Sequence, residues 1–330
     1  MIVDTYCHVL PRKLVAAMES KGPKFGLIKR LMQVQELHDL DKRFRTMDAI
    51  GDYRQIVSLP NPPLEAIANP EEALELARAA NDGMADLVKR HPDRFPGFVA
   101  ALPMHDPDKN MAELKRAIEE LDAWGIQIFT NINGRPLDDK EFQPIFDVMA
   151  SYDRPIWLHP ARTADTPDYP TEAFSRFELW WLFGWPYETS VAMARLVLSG
   201  LFDRHPGIKI ITHHMGGMIP FFDTRIADGM AVLGSRTKEE SYTGLLASLK
   251  RPFIDYFRMF YADTALFGVA NGLQCGLDFF GNGNVLFASD APFGPIAATR
   301  DGIDGLAIGT GNRNAIYRGN LERVMGRAIA

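Results

Sequence analysis

Four points in the sequence place an imidazole or a carboxylate directly after an apolar run. His8 ends IVDTYCH, and His159 ends IWLH. The adjacent His213 and His214 end IKIITHH, and Asp290 ends VLFASD. Imidazole nitrogens and carboxylate oxygens are ligands that divalent transition metals accept. Any one of these residues alone could be a helix cap or a hydrogen-bonded core side chain. Four at comparable positions favour a shared metal site.

The apolar runs themselves predict parallel strands. Eight runs recur at wide spacing without polar alternation, which is typical of strands buried on both faces. They are Met1–Val3, Gln55–Leu59, Gly97–Leu102, Ile126–Phe129, Pro155–Leu158, Ile208–Thr212, Phe260–Asp263 and Val285–Ala288. Helical patterns separate several of them, as at Glu71–Arg90, Asn110–Trp124 and Asp139–Tyr152. The alternation predicts an α/β fold, a (β/α)8 TIM barrel with its active face at the carboxyl ends of the strands. A doubly wound open sheet is disfavoured because no G-x-G-x-x-G follows the first run.

The chain is predicted to be a single barrel domain over residues 1–330. Residues of about 12–40 are too long for a simple connection after the first strand, so we expect a small insertion over the barrel mouth. No internal repeat, low-complexity tract or Pro/Ser-rich linker suggests a second domain.

Composition excludes several classes of protein. The 330 residues include 36 Lys and Arg against 42 Asp and Glu, a formal charge of −6. The sequence has no basic tract for nucleic acid and no apolar run near the roughly 20 residues that span a bilayer. Only Cys7 and Cys275 are cysteines, and the N-terminus lacks a signal-peptide pattern, which together predict a cytoplasmic protein.

The remaining candidate residues carry weaker signals. His38 lies in the expected insertion, and His91 and His205 occupy similar RHP turns, where a histidine suits a helix C-terminus. His105 follows a strand in ALPMHDP, and its role is left open. Cys7 alternates away from His8 and is expected in the core. The aromatic cluster ELWWLFGWP, with Trp180, Trp181 and Trp185, is either a wall for a planar substrate or a packing surface.

The order and spacing of these motifs resemble the decarboxylase branch of the amidohydrolase superfamily. The likeness runs from MIVDTYCHVLP, through ALPMHDP and HHMGGMIPFFDTR, to SDAPFG and the terminal GNRNAIYRGNLERVM. The resemblance implies a barrel enzyme that acts on an aromatic or muconate-type carboxylate. It also implies one divalent metal, usually Zn²⁺, with Mn²⁺, Co²⁺ or Fe²⁺ as alternatives, and commonly a homodimer.

The resemblance also implies roles for particular residues. His8, His159 and Asp290 match metal ligands, and Asp290 also belongs to the catalytic group. His214, six residues before Pro220, matches the acid/base histidine. Two further matches are arginines that hold a substrate carboxylate: Arg45 from the same chain, and Arg225 reaching into the neighbouring subunit's site.

One position departs from the family pattern. Tyr6 stands where the family has its first metal histidine, and a neutral phenol with a pKa near 10 is a poor ligand. Strand alternation puts Tyr6 on the same face as His8, so we expect it near or on the metal.

Three functions therefore stay open at this point. The first is a metal-dependent, non-oxidative decarboxylase. The second is a metal-dependent hydrolase or hydratase on the same scaffold, and the third is a metal-poor, inactive relative because of Tyr6.

Overall fold

The fold is a closed barrel of eight parallel strands. The computed structural model describes residues 1–12, 14–15, 26–238, 242 and 244–329. We number the barrel strands β1 to β8 in chain order. They are Ile2–His8, Tyr53–Ser58, Gly97–Ala101, Gly125–Phe129, Ile156–His159, Ile210–Thr212, Tyr261–Asp263 and Val285–Leu286. Each strand pairs with its neighbour in sequence. The ring closes between β1 and the segment after β8, where Cys7 bridges Ala291 in parallel and the Thr5 amide donates to the Phe287 carbonyl at 2.9 Å. The predicted (β/α)8 barrel is confirmed.

Helices surround the barrel. In chain order, α1 to α16 are Gly26–Gln33, Leu40–Ile50, Leu64–Ile67, Pro70–Arg90, Pro107–Glu119, Gln143–Tyr152, Leu179–Leu182, Gly184–Leu198, Leu201–Arg204, Asp223–Ala231, Leu245–Ser248, Phe253–Phe257, Ala270–Phe280, Ile296–Asp304, Thr310–Asn314 and Asn320–Met325. Short 3₁₀ turns occupy Gln35–Leu37, Lys140–Phe142, His214–Gly216 and Pro220–Phe222, and a π turn occupies Ala315–Gly319. Asn131–Ile132 and Arg135–Pro136 form a small antiparallel ribbon. Among the helices of the described residues, none has the length and apolar character needed to cross a bilayer.

Local sequence explains the helix boundaries. Helix α4 begins at Pro70 behind Asn69, whose side chain accepts from the Glu72 amide while Glu72 reaches back, a complete capping box. This helix ends at Arg90 with His91 as its C-cap, and α9 ends at Arg204 with His205 as its C-cap, which agrees with the helix C-termini predicted at the two RHP turns. The helices therefore start and stop where their polar backbone groups find partners.

Two apolar layers fix the strands. Inside the barrel, Val3, Ile56, Val99 and Trp157 pack together beneath the carboxyl ends. The outward strand residues pack against the surrounding helices in a second, larger core. Because both faces of the strands are buried, their carboxyl ends are held in fixed positions.

The expected insertion at about 12–40 lies partly outside the described residues, since positions 13 and 16–25 are not included. Its later part forms α1 and a 3₁₀ turn, and the Leu10 amide donates to the Leu37 carbonyl at 2.7 Å. Leu14 and Leu31 are buried. These contacts hold the segment against the end of β1. That the segment is an insertion over the barrel mouth stays a prediction, and so does the assignment of a single domain.

Candidate metal centre

The carboxyl ends of four strands bring imidazoles and a carboxylate together. His8 ends β1, His159 ends β5, His213 follows β6 and Asp290 follows β8. His8 Nε2 lies 3.0 Å from Asp290 Oδ1, and His213 Nε2 lies 3.6 Å from the same oxygen. One ligand atom each from His8, His159 and His213 lies within 4.8 Å of the other two. The structure thus brings His8, His159 and Asp290 to one face of the barrel, while their binding of one metal stays a prediction.

The three histidines share one hydrogen-bonding arrangement. His8 Nδ1 lies 3.0 Å from the Leu59 carbonyl oxygen, and His159 Nδ1 lies 2.8 Å from that of Pro160. His213 Nδ1 lies 2.5 Å from Asp263 Oδ2. In the tautomer with the proton on Nδ1, each of these histidines donates to the oxygen behind it and presents Nε2 to the centre. Metal-binding histidines are oriented in this way by partners behind them.

The pKa values of the cluster reflect burial and mutual charge. Burial, followed by the charges of His213 and His8, lowers the pKa of His159 well below its ordinary value. Burial opposes ionisation of Asp290, but its contacts with His213, His214 and His8 hold the pKa of this carboxyl well below its usual range. Burial also lowers the pKa of His213, but Asp263 and Asp290 outweigh it and raise this pKa to about 9. Asp290 is thus an ionised carboxylate among three imidazoles, and its negative charge favours the protonated form of His213.

His214 lies beside this cluster rather than within it. Its backbone has a positive φ of 51°, which turns the chain immediately after His213. Its Nε2 lies 3.8 Å from Asp290 Oδ2, and its ring stacks on Trp185 at 6.3 Å between centroids. Nδ1 of His214 is buried without a hydrogen-bond partner among the described residues. Burial and the charge of His213 lower the pKa of His214, so the ring is neutral and able to accept a proton.

Tyr6 lies among the histidines, with its hydroxyl bonded elsewhere. Its ring centroid lies 4.5 Å from that of His213 and 5.2 Å from that of His8. The hydroxyl donates to Gln127 Oε1 at 3.0 Å. Burial, together with Asp263 and Asp290, raises the pKa of Tyr6 well above 10. The expected position near the centre is therefore observed, whereas ligation by Tyr6 stays a prediction that the neutral, hydrogen-bonded phenol does not favour.

Neither arginine predicted to hold the substrate contacts the cluster within this chain. Arg45 is exposed on α2, and Arg225 is exposed on α10. The buried guanidinium of α2 belongs to Arg43, which donates to the His8 carbonyl at 2.7 Å and to Gln55 Oε1 at 2.7 Å. Arg43 thus supports the backbone of β1, and the roles of Arg45 and Arg225 stay predictions.

Two residues that hydrogen-bond to the site histidines were not predicted from the sequence. Asp263 accepts hydrogen bonds from His213 Nδ1 and from the His214 amide, the latter at 3.0 Å. Its signal was present, because it ends the apolar run of β7, as Asp290 follows that of β8. Asn61 reaches across from the loop after β2, with Nδ2 3.0 Å from His159 Nδ1 and 3.1 Å from the Pro160 carbonyl. No local pattern around Asn61 indicates that contact.

Aromatic rings line the opening above the cluster. Phe129 and Trp185 pack at 5.4 and 5.7 Å from the His159 ring, and Phe293 lies 5.8 Å from His8. Trp180 and Trp181 in turn contact the ring of Trp185. Of the tryptophan cluster, Trp185 is the member that contacts site histidines.

The chain is similar to known proteins along almost its whole length. The family model described as "Amidohydrolase" matches residues 3–327. Gamma-resorcylate decarboxylase from Polaromonas sp. is 34% identical over 312 residues, 89% of this chain and 88% of the relative. The crystal structure of 5-carboxyvanillate decarboxylase from Sphingomonas paucimobilis superposes with a TM-score of 0.84 at 26% identity, covering 99% of each chain.

A third relative was solved with a metal. The structure of dihydroxybenzoic acid decarboxylase from Polaromonas sp., with bound manganese and the inhibitor 2-nitroresorcinol, gives a TM-score of 0.80 at 30% identity. It covers 99% of this chain and 98% of the relative. Together with the match over almost the whole sequence, these likenesses establish that the chain belongs to the amidohydrolase family, in its decarboxylase branch.

Proposed function

We propose that this protein is a metal-dependent, non-oxidative decarboxylase, a carboxy-lyase that removes CO2 from an aromatic or muconate-type carboxylic acid. The observation that carries the proposal is the cluster of buried imidazoles around Asp290, with acceptor oxygens behind Nδ1 of His8 and His159 and with His8 Nε2 3.0 Å from Asp290 Oδ1. The names of the relatives, which decarboxylate aromatic acids, supply the reaction type.

The residues present suit a divalent ion. His8 and His159 would offer Nε2 and Asp290 a carboxylate oxygen, a donor set that suits Zn²⁺ and also accepts Mn²⁺. Beside them, the buried Nε2 of His213 has no hydrogen-bond partner among the described residues, so the cluster contains a further nitrogen that the chain itself leaves unused. When bound, such an ion supplies positive charge that polarises substrate oxygens. Zinc follows from the family resemblance, whereas the related structure contains manganese.

His214 is proposed as the group that moves the proton. Its lowered pKa keeps the ring neutral, and its buried Nδ1 has no hydrogen-bond partner among the described residues. The imidazole takes up a proton and passes it to the ring carbon that bears the carboxylate. As the carbon–carbon bond breaks, its electron pair stays with the ring and CO2 leaves, so no oxidant is needed.

The aromatic rings are proposed to orient a planar substrate. Trp185 stacks on His214, and Phe129 and Phe293 flank the histidines. Offset contacts between such rings and a substrate ring favour one orientation over others. The carboxylate carbon would then be presented to His214.

A homodimer is proposed to complete the carboxylate site. Arg225 is exposed near the start of α10, and its neighbour Phe221 is 77% exposed. Phe183, exposed at 71%, precedes α8, which contacts the same region through Ser190 Oγ and the Met218 amide at 2.8 Å. Exposed apolar side chains around a cation are typical of a surface that binds another subunit. Arg225 would reach the partner's site there, with Arg45 as the second candidate for the carboxylate. We also propose a cytoplasmic location, as the sequence predicts.

The test is CO2 release. Protein stripped of metal and reloaded with Zn²⁺ or Mn²⁺ is assayed with 2,6-dihydroxybenzoate, 5-carboxyvanillate and 6-methylsalicylate, without any added organic cofactor. We expect release with at least one acid, loss on chelation, and loss in His214→Asn. Turnover of lactones or amides without CO2 release would overturn the proposal in favour of hydrolysis. Inactivity in every assay, with metal bound, would also contradict it.

A further inference from the structure

Because Tyr6 occupies the ligand position on β1, the centre has one nitrogen ligand fewer than the family resemblance implies. The family resemblance puts a histidine ligand there, and the Tyr6 hydroxyl is instead donated to Gln127. His8, His159 and Asp290 alone give two nitrogens and one carboxylate.

His213 has the geometry of a ligand. It is fully buried, and its Nε2 has no hydrogen-bond partner among the described residues although it lies 3.6 Å from Asp290 Oδ1. Its ring centroid lies 5.1 Å from that of His159. A buried nitrogen without a partner costs about 1–3 kcal/mol, so its retention indicates a partner that is supplied from outside the chain.

Asp263 holds His213 in this orientation. One carboxylate oxygen accepts from His213 Nδ1, and the other accepts from the backbone amides of His214 and Ala265 at 3.0 and 3.1 Å. Because the carboxylate is anchored at both oxygens, the imidazole behind it is fixed in one tautomer with Nε2 towards Asp290. The ring of Tyr6 packs against His213 at 4.5 Å and limits its movement from the other side.

We propose that His213 is the fourth metal ligand of this protein and takes over the function of the missing strand-one histidine. The ligand set is then His8, His159 and His213 through Nε2, with Asp290 through a carboxylate oxygen, and the metal displaces any proton on these nitrogens. His214 keeps its separate role as the proton-transferring residue. The proposal rests on the metal dependence proposed above, and it is tested by metal binding alone, so it can fail while decarboxylation stands.

Two adjacent histidines provide a matched pair of variants. Zn²⁺ affinity is measured by competition with a chromophoric chelator, in the absence of substrate, for the full chain and for His213→Asn and His214→Asn. We expect His213→Asn to lose more than the roughly 10–100-fold that follows from disturbing a partner behind a ligand. His214→Asn should stay within a few-fold of the unmodified protein. The double variant Tyr6→His/His213→Asn should regain much of the lost affinity, because the nitrogen returns at the strand-one position.

A measurement on the unmodified protein guards against a folding defect in the variants. X-ray absorption spectroscopy of the Zn²⁺-loaded protein counts coordinating imidazoles, and the proposal requires three. Two imidazoles, or unchanged affinity in folded His213→Asn, would overturn it. Loss of CO2 release with three imidazoles present would count against the proposed function and leave the ligand assignment intact.

Discussion

Glu65 is a buried carboxyl group whose removal should stabilise the protein at neutral pH. It lies on α3 with 4% of its surface exposed, and neither carboxyl oxygen has a partner in another described residue. It lines a cavity of about 10 Å³ together with Gln127, Phe129 and residues of the loop after β2. Burial raises its pKa to about 7, against a smaller lowering by its own backbone amide.

The sign and size of the effect follow from proton linkage. The carboxyl group of the unfolded chain has a pKa of about 4.5, so between pH 4.5 and 7 the unfolded state gives up a proton that the folded state keeps. The free energy of unfolding therefore falls as pH rises through this range and is constant again above it. A pKa difference of about 2.5, at about 1.36 kcal/mol per pKa unit, corresponds to roughly 3 kcal/mol.

Glu65→Gln keeps the shape and removes the titration. Urea unfolding of both proteins at several pH values from 4.5 to 8.5, with the same metal content, should give similar stabilities at pH 4.5. By pH 8 the free energy of unfolding of Glu65→Gln should exceed that of the unmodified protein by up to about 3 kcal/mol. Parallel curves would refute the argument, because they would mean that Glu65 ionises in the folded state as it does in water.

A control at a paired buried carboxylate should behave in the opposite way. Glu113 is fully buried but accepts from Arg116 and Arg78, with Arg116 Nε at 2.8 Å and Arg78 Nε at 3.3 Å. Glu113→Gln should lower the free energy of unfolding at pH 8, because it leaves guanidinium groups without their carboxylate. Stabilisation by both substitutions would show that the effect is not specific to an unpaired carboxyl group.

Two further predictions concern the centre and the subunit contact. Asp263→Asn should lower Zn²⁺ affinity by about 10–100-fold, measured by chelator competition, because Asn has one accepting oxygen for His213 Nδ1 and the two backbone amides, where Asp263 has two. Unchanged affinity would show that Asp263 does not support the centre. Arg225→Ala should raise KM at constant metal content. Mixing Arg225→Ala protein with His214→Ala protein under subunit exchange should restore activity, since one site of each mixed dimer regains both groups. No recovery after demonstrated exchange would show that each barrel works alone.

The sequence is most informative where a pattern of residue types is compatible with one structural environment. Eight apolar runs gave the barrel, because strands buried on both faces need continuous apolar side chains. His8, His159 and Asp290 were predicted as neighbours because the carboxyl ends of parallel strands lie on one face of a barrel.

The sequence is least informative where backbone turns or distant loops decide. Spacing to Pro220 singles out His214, but it is His213, in extended backbone directly after β6, whose Nε2 lies 3.6 Å from Asp290 Oδ1, and the chain turns only at His214. The amide of Asn61 contacts His159 across 98 positions of sequence. Such contacts depend on the closed barrel and leave no local pattern.

Tyr6 illustrates how a lost ligand position can gain a structural role. Its hydroxyl donates to Gln127 Oε1, Gln127 Nε2 donates to the Leu59 carbonyl at 3.0 Å, and that carbonyl also accepts from His8 Nδ1. The phenol thus supports His8 through two intermediates, rather than contributing an oxygen to the metal. Tyr6→Phe leaves the buried Gln127 oxygen without its donor, so urea unfolding should show a loss of about 1–3 kcal/mol. The bound metal should remain near the original stoichiometry, as measured by elemental analysis. If Tyr6→Phe instead loses the metal while staying folded, the hydroxyl is itself a ligand. In that case the nitrogen of His213 is not what replaces the strand-one histidine.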